Sequence, residues 1–343
     1  MKDYKNILVI KMSSLGDIIH ALPSLYALRE LFPDACITWA IHESFAKILP
    51  GKPWIDNVYV IDRKRIKKIN YLLQVRKDLH KKHFDLVIDL QMIAKSGLIS
   101  FLTGCHERIG YNDARECSGL FSRAISGKYK NGHIIEQLLD VIRYLGWQGN
   151  GIHFPLHDYK NELLVVRKKL SEAGVIGKYV LLVPGTRGEN KKWPIKYWGE
   201  LAKRLAKKGI FCIISGTVGE KSMADEIRRI AQSKYVVDFI GKTNLLELIA
   251  LEKMAAVHIS SDTGPLHIAN AVGTPIIALF GPTLPYRSGP YGNRYSEVLL
   301  AETPGHEVTN MGTISVEAVY DSCMKNYRCE LFVHQIVEET SSV

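Results

Sequence analysis

The residues best suited to chemistry stand in three turns, each following a short apolar run and opening an amphipathic stretch. The first is Lys11-Met12-Ser13-Ser14-Leu15-Gly16-Asp17. Gly16 permits a tight turn, and Asp17 falls at a helix N-terminus, where unsatisfied N–H groups and the helix dipole favour the carboxylate anion. Two readings stand: a helix cap, or a general base that takes the proton of an attacking hydroxyl. The second turn is Pro184-Gly185-Thr186-Arg187-Gly188-Glu189-Asn190-Lys191-Lys192-Trp193-Pro194. A glycine, a hydroxyl and three cations suit a diphosphate, which backbone N–H groups can approach and lysine can neutralise. A basic surface loop is the plainer reading, and Pro194 reads as the first turn of the next helix. The third is Ser260-Ser261-Asp262-Thr263-Gly264-Pro265-Leu266-His267. Thr263 and Gly264 can offer backbone N–H groups to phosphate, whereas Asp262 would be repelled by it and suits a sugar hydroxyl. His267, one helical turn on, is either structural or part of the same site.

None of these turns matches G-x-G-x-x-G or G-x-x-x-x-G-K-[ST], so dinucleotide-dependent oxidoreductases and P-loop NTPases lose their main support. No D-x-D pair occurs. Phosphate charge would then be met by lysine and helix termini, with neither a metal nor a cofactor expected.

Alternating strands and helices must carry the turns. Ile7–Ile10, Cys36–Ile41, Val58–Ile61 and Leu86–Leu90 read as strands; Asp17–Leu31 reads as a helix bent at Pro23, and Ile134–Leu145 as another. Ile66–Leu79 reads as a helix with Ile66, Ile69, Leu73 and Leu79 inward and lysines outward. The pattern then restarts: strands at Tyr179–Val183, Phe211–Ser215, Val236–Phe239, Val257–Ser260 and Ile276–Phe280, helices at Tyr197–Lys208 and Lys221–Ala231. Such alternation implies α/β architecture with parallel sheets covered on both faces. The expectation is two doubly wound, Rossmann-like domains, residues 1–155 and 156–314, meeting at a cleft that holds the ligand. A helical tail, 315–343, would pack back on the first domain.

Bulk properties agree. The 343 residues suit two domains of about 150 each. A chain 46% hydrophobic and 23% charged is neither disordered nor fibrous. No window reaches the roughly 18 apolar residues of a membrane span. The first apolar run stops at Lys11, which marks a buried strand and not a signal peptide, so the chain is expected in the cytoplasm. Six cysteines without a C-x-x-C pair argue against zinc and against a disulfide scaffold. The net charge is +10, and Arg63 to Lys82 holds nine basic residues against Asp78 alone. That block is either a solvated lysine face or a docking surface for anionic lipid. Tyr71 is its only aromatic, so nucleic acid is not an expected partner.

Taken together, K-x-S-S-L-G-D, P-G-x-x-x-x-x-K-x-W-P and S-D-T-G-P-x-H-x-A resemble the lipopolysaccharide heptosyltransferases, glycosyltransferase family 9. Asp89-Leu90-Gln91-Met92-Ile93-Ala94-Lys95-Ser96 resembles the family's D-x-Q-x-x-x-K-S, and Ala114-Arg115-Glu116 its A-R-E. The similarity spans roughly Ile7 to Gly292, and S-S-L-G-D looks closest to the enzymes that add the first heptose. The resemblance implies a GT-B fold and an inverting, metal-independent transfer from ADP-heptose to an anionic Kdo–lipid A or core acceptor. It implies Asp17 as catalytic base and Lys191 as the lysine on donor phosphate, with Lys192 beside it. Thr186, Arg187, Glu220 (suited to ribose), Thr243 (near adenine), Asp262, Thr263, Gly264 and His267 match donor positions. Ser14, Gly16, Arg63, Lys64, Lys95 and Arg115 fall with the acceptor. Met92 stands where many members have Gly, and Arg187 where Thr or Ser is common. Peripheral contact with the cytoplasmic face of the inner membrane would run through Arg63–Lys82.

Overall fold

The computed structural model describes residues 2–305 and 309–328 and divides into two compact units, Met1–Asp158 and Tyr159–Val343. Each unit is built on a six-stranded parallel sheet with helices on its faces.

In the first unit the strands are β1 (Asn6–Ile10), β2 (Cys36–His42), β3 (Asn57–Ile61), β4 (Leu86–Asp89), β5 (Arg108–Tyr111) and β6 (Arg123–Ile125), in the order β3-β2-β1-β4-β5-β6. The central β1 is covered on both faces, which is why Ile7-Leu8-Val9-Ile10 is a continuous apolar run and not an alternating one. Each of these side chains is almost wholly removed from water, a contribution of about 1.5–3 kcal/mol apiece. The helices are α1 (Leu15–Leu31), α2 (Ile69–His80), α3 (Ala94–Leu102) and α4 (Ile134–Leu145). Helix α1 continues through Pro23. Helix α4 starts on the His133 side chain, which accepts the Ile135 N–H, and stops at Gly146, where φ of +117° suits glycine.

Helix α2 departs from expectation. It begins at Ile69, and its buried face is Tyr71, Val75 and Leu79, with Ile66 buried in the turn before it. Ile69 and Leu73, expected inward, are 67% and 58% exposed. Tyr71 sets the phase, since its hydroxyl accepts the Asp62 N–H at 2.8 Å and draws this residue to the end of β3.

The second unit opens with α5 (Lys160–Glu172) and repeats the winding. Strands β7 (Tyr179–Val183), β8 (Phe211–Ile214), β9 (Val236–Asp238), β10 (Val257–Ser261), β11 (Ile276–Phe280) and β12 (Ser296–Leu300) lie in the order β12-β11-β10-β7-β8-β9. Around them are α6 (Ile195–Ala206), α7 (Lys221–Ala231), α8 (Leu245–Met254), α9 (Gly264–Ala271), the short α10 (Pro285–Ser288) and α11 (Val316–Tyr327). Numbered within its own unit, each sheet has the order 3-2-1-4-5-6 of a doubly wound dinucleotide-type domain. Helix α11 buries Val316, Val319 and Cys323 in the same cluster as Trp198 and Leu201 of α6. The apolar face of α11 is thus used in the second unit's core. Residues 329–343 lie outside the described residues. No described helix is long and apolar enough to cross a membrane.

Candidate active site

In each unit the sheet reverses its winding direction between two central strands, and loops leaving the carboxyl ends of those strands form a crevice. In the first unit these strands are β1 and β4. Asp17 sits in the first turn of α1, half-buried, and its Oδ2 accepts both the Ser14 N–H (2.9 Å) and the Ser14 hydroxyl (2.7 Å). The carboxylate thus closes a capping box, and the helix dipole favours its ionised form. Gly16 is buried in the same turn.

The loop that carries Asp17 is clamped from β4. Gln91 Oε1 accepts the backbone N–H of Met12 (3.0 Å) and of Ser13 (3.2 Å). Asp89 Oδ1 in turn accepts the N–H of Gln91 (3.0 Å) and of Met92 (2.9 Å). Lys11, itself buried, donates from Nζ to the Leu90 carbonyl at 2.7 Å. Burial lowers the Lys11 ammonium, against the attraction of Asp17 and Asp89. Burial likewise pushes the Asp89 carboxyl up to about 6, against the Met92 and Gln91 N–H groups and Lys11. Met92 adopts φ of +50°, a left-handed conformation that glycine reaches without strain. Its carbonyl accepts the Arg115 N–H at 3.0 Å, and Glu116 Oε2 accepts the Ala94 N–H at 3.3 Å. The D-x-Q and A-R-E stretches are therefore one joined surface.

On that surface Arg115 is more than half exposed, 3.7 Å from Asp113, and Lys95 is exposed in the first turn of α3. Ser14, Gly16, Asp17, Lys95 and Arg115 thus gather at the ends of β1, β4 and β5. Arg63 and Lys64 do not join them. They follow β3, the sheet edge, which β2 separates from β1 by about 10 Å across the sheet.

In the second unit the reversal falls between β7 and β10. The loop after β7 is anchored by Trp193, which is buried and donates from Nε1 to the Ile314 carbonyl at 2.9 Å. The two lysines before it part company. Lys191 Nζ lies 2.7 Å from Asp262 Oδ2, while Lys192 Nζ pairs with Glu189 at 2.5 Å. Thr186 donates from Oγ1 to the Asp262 carbonyl at 3.2 Å. His267 Nε2 stands 3.6 Å from Asp262 Oδ1. Burial would raise the Asp262 carboxyl, but His267 and Lys191 outweigh it and hold it well below the usual carboxylate range. Thr263 caps α9, whose first residue is Gly264, so backbone N–H groups and the positive end of the helix stand beside this cluster.

Glu220 belongs to the same rim, one strand over. Its Oε2 accepts the Thr217 N–H (2.6 Å) and hydroxyl (2.9 Å). A Cβ on Gly185 would fall 1.6 Å from Glu220 Oε1, and one on Gly216 would fall 2.6 Å from Oε2. The carboxylate lies in a notch that only glycine backbone leaves open. Thr243 lies beyond it, in the β9–α8 connection, and Arg187 is in the Thr186 loop. Thr186, Lys191, Glu220, Asp262, Thr263, Gly264 and His267 thus share one sheet edge.

Reading by sequence passed over Lys11, Asp89 and Gln91, although all three lie inside motifs singled out. Their signal is a polar residue within or directly after an apolar strand, where burial demands a partner. Gly185 and Gly216 were passed over as spacers of Glu220, since nothing local shows which side chain a glycine makes room for.

A family model for Glycosyltransferase family 9 (heptosyltransferase) matches residues 72–314. Lipopolysaccharide heptosyltransferase 1 of Pseudomonas aeruginosa is 27% identical over 298 residues, 83% of this chain and 81% of that protein. Among solved structures, a glycosyl transferase family 9 protein from Veillonella parvula superposes with a TM-score of 0.84 at 23% identity, covering 95% of this chain and 98% of that one. The E. coli heptosyltransferase WaaC with ADP superposes with a TM-score of 0.73 at 26% identity, over 94% and 99% of the two chains. The described architecture, two parallel sheets of the same winding, is that of these proteins.

Proposed function

This chain belongs to glycosyltransferase family 9, the heptosyltransferases, and on that premise we propose that it moves a heptose from ADP-L-glycero-D-manno-heptose to the inner core of lipopolysaccharide with inversion at the anomeric carbon. One observation supports this reading above the rest: Lys191, Thr186 and His267 converge on Asp262 beside the N-terminus of α9. That grouping supplies a cation and backbone donors for a diphosphate and a carboxylate for sugar hydroxyls.

In this reading the second unit binds the donor. Glu220 takes the ribose, Thr243 lies by the adenine, Arg187 assists at the phosphates and Asp262 takes heptose hydroxyls. Asp17 accepts the proton of an acceptor hydroxyl as its oxygen attacks the anomeric carbon in line with the departing ADP. Lys191 and the Thr263–Gly264 amides stabilise the charge that grows on the leaving phosphate, with no divalent ion required. One such charge-stabilising donor is worth about 3–4 kcal/mol. Lys95 and Arg115, with Ser14 and Gly16, bind the acceptor, a Kdo–lipid A rich in carboxylate and phosphate; Arg63 and Lys64 engage its outer anionic groups. The protein works at the cytoplasmic face of the inner membrane, in peripheral contact through Arg63–Lys82.

The test is product analysis with ADP-heptose and Kdo–lipid A, with and without EDTA. The expected result is one heptose added to the acceptor per ADP released, unaffected by EDTA and absent without acceptor. An altered nucleotide sugar formed without acceptor would instead mark an epimerase.

A further inference from the structure

Ile69 and Leu73 are one helical turn apart on α2, and both face solvent at 67% and 58% exposure. They lie opposite Tyr71, Val75 and Leu79, the buried face, so no described part of the first unit covers them. Lys77 continues the same stripe one turn on, Arg76 flanks it, Lys68 precedes the helix as its N-cap residue, and all three are exposed. Immediately before the helix, Arg63, Lys64, Arg65 and Lys67 are exposed as well. The one acid of the block, Asp78, accepts hydrogen bonds from Gln74 (2.7 Å) and from Tyr59 (3.3 Å) on the flank of the helix.

An apolar pair on a helix flanked at both ends by cationic turns has a specific complement. A polar or nucleic-acid partner would match the charge and leave Ile69 and Leu73 unused. The block's one aromatic, Tyr71, is buried and unavailable for base stacking. A neutral apolar partner would bury the pair and strand the cations. An anionic lipid surface satisfies both, because apolar side chains enter the boundary between headgroups and acyl chains while lysine and arginine stems reach back to lipid phosphate. We propose that α2 is an interfacial anchor for an anionic phospholipid bilayer, with Ile69 and Leu73 inserted and Lys68, Arg76 and Lys77 on the headgroups. This rests on the proposed membrane contact through Arg63–Lys82 and adds the residues that insert, and it does not depend on the transfer chemistry.

The test uses the full chain and vesicles of phosphatidylcholine alone or mixed with phosphatidylglycerol. Sedimentation is measured at about 0.1 M and about 1 M salt, between which the Debye length falls from about 10 Å to about 3 Å. The wild type should sediment with the anionic vesicles only, and less at high salt. Ile69→Ser with Leu73→Ser should weaken that binding about tenfold or more, and Lys68→Gln, Arg76→Gln and Lys77→Gln should cost about fivefold each. Leu73→Trp should shift its emission to the blue on anionic vesicles. All of these positions are exposed, so melting temperature and transfer to a delipidated, soluble acceptor should stay at wild-type values. A chain inactive on any acceptor that still binds vesicles this way would defeat the transfer reading and leave the anchor standing. The anchor is overturned if the double serine variant binds like the wild type, or if Leu73→Trp shows no shift while the chain is bound. It is equally overturned if binding ignores lipid charge, if RNA but not vesicles is bound, or if the serine pair instead breaks a dimer of this chain seen by light scattering.

Discussion

Lys191 Nζ lies 2.7 Å from Asp262 Oδ2, and its sequence neighbour Lys192 turns away to Glu189. Two adjacent lysines with the same charge therefore have different partners. Lys191→Ala should lower kcat/KM by about 100–1,000-fold, the usual loss for a charge-stabilising donor. Lys192→Ala, which removes an exposed pair, should change it by less than about fivefold. Steady-state ADP release by both variants checks this; equal losses would contradict the division.

Gly185→Ala should act through Glu220. A methyl group 1.6 Å from Glu220 Oε1 cannot coexist with that carboxylate, so the side chain must leave its notch. ADP affinity, measured by calorimetry, should fall about as far in Gly185→Ala as in Glu220→Ala. The double variant should fall no further, because both changes remove one interaction. Additive losses would place the effect of Gly185 elsewhere.

Gln91 should matter to turnover without touching the nucleotide. Gln91→Leu leaves the N–H groups of Met12 and Ser13 unpaired beside Asp17, a cost of about 1–3 kcal/mol each where buried. The expected result is a fall in kcat with ADP affinity unchanged, and partial recovery in Gln91→Glu, whose oxygen still accepts. A shift in ADP affinity instead of kcat would contradict the assignment of this clamp to the Asp17 loop.

Two carboxylates, buried Asp89 and half-buried Asp262, should give opposite pH dependence of stability. Asp89, raised from 3.8 to about 6, binds its proton more tightly folded than unfolded. Its contribution to stability therefore falls as pH rises from about 4 to about 6 and is constant above. Asp262 is lowered, so its contribution is present above about pH 4 and is lost below that. In urea unfolding at about pH 4.5 and about pH 7.5, Asp89→Asn should gain on the wild type toward the higher pH by about 2 kcal/mol. Asp262→Asn should trail the wild type by a constant margin across that range. An Asp89→Asn difference independent of pH would contradict the raised carboxyl.

The central strands were legible because burial on both faces turns them into unbroken apolar runs, as in Ile7–Ile10, Tyr179–Val183 and Ile276–Phe280. The outer strands β5, β6 and β12 were missed. Each is short or half-exposed and mixes charged with apolar residues, as Arg108–Tyr111 and Arg123–Ile125 do, so no period stands out. Helix α2 was placed but turned the wrong way. Counting inward positions from Ile66, before the helix starts, gave a phase that Tyr71 and its bond to Asp62 override. The turns that hold the candidate site were visible as glycine, hydroxyl and charge after a strand. What joins them was not: Gln91 to Met12, Arg115 to Met92 and Glu220 into the Gly185 notch are contacts between distant segments.

Asp17, a half-buried carboxylate capping α1, is the proposed acceptor of the hydroxyl proton, with the nucleotide held by the second unit. Asp17→Asn keeps the size of the side chain and an oxygen for the Ser14 bonds. Its kcat for ADP release with acceptor present, measured beside its calorimetric ADP affinity, separates the two roles. Turnover should fall by about 100–10,000-fold with ADP affinity within about twofold of the wild type. Wild-type turnover by Asp17→Asn would contradict that assignment.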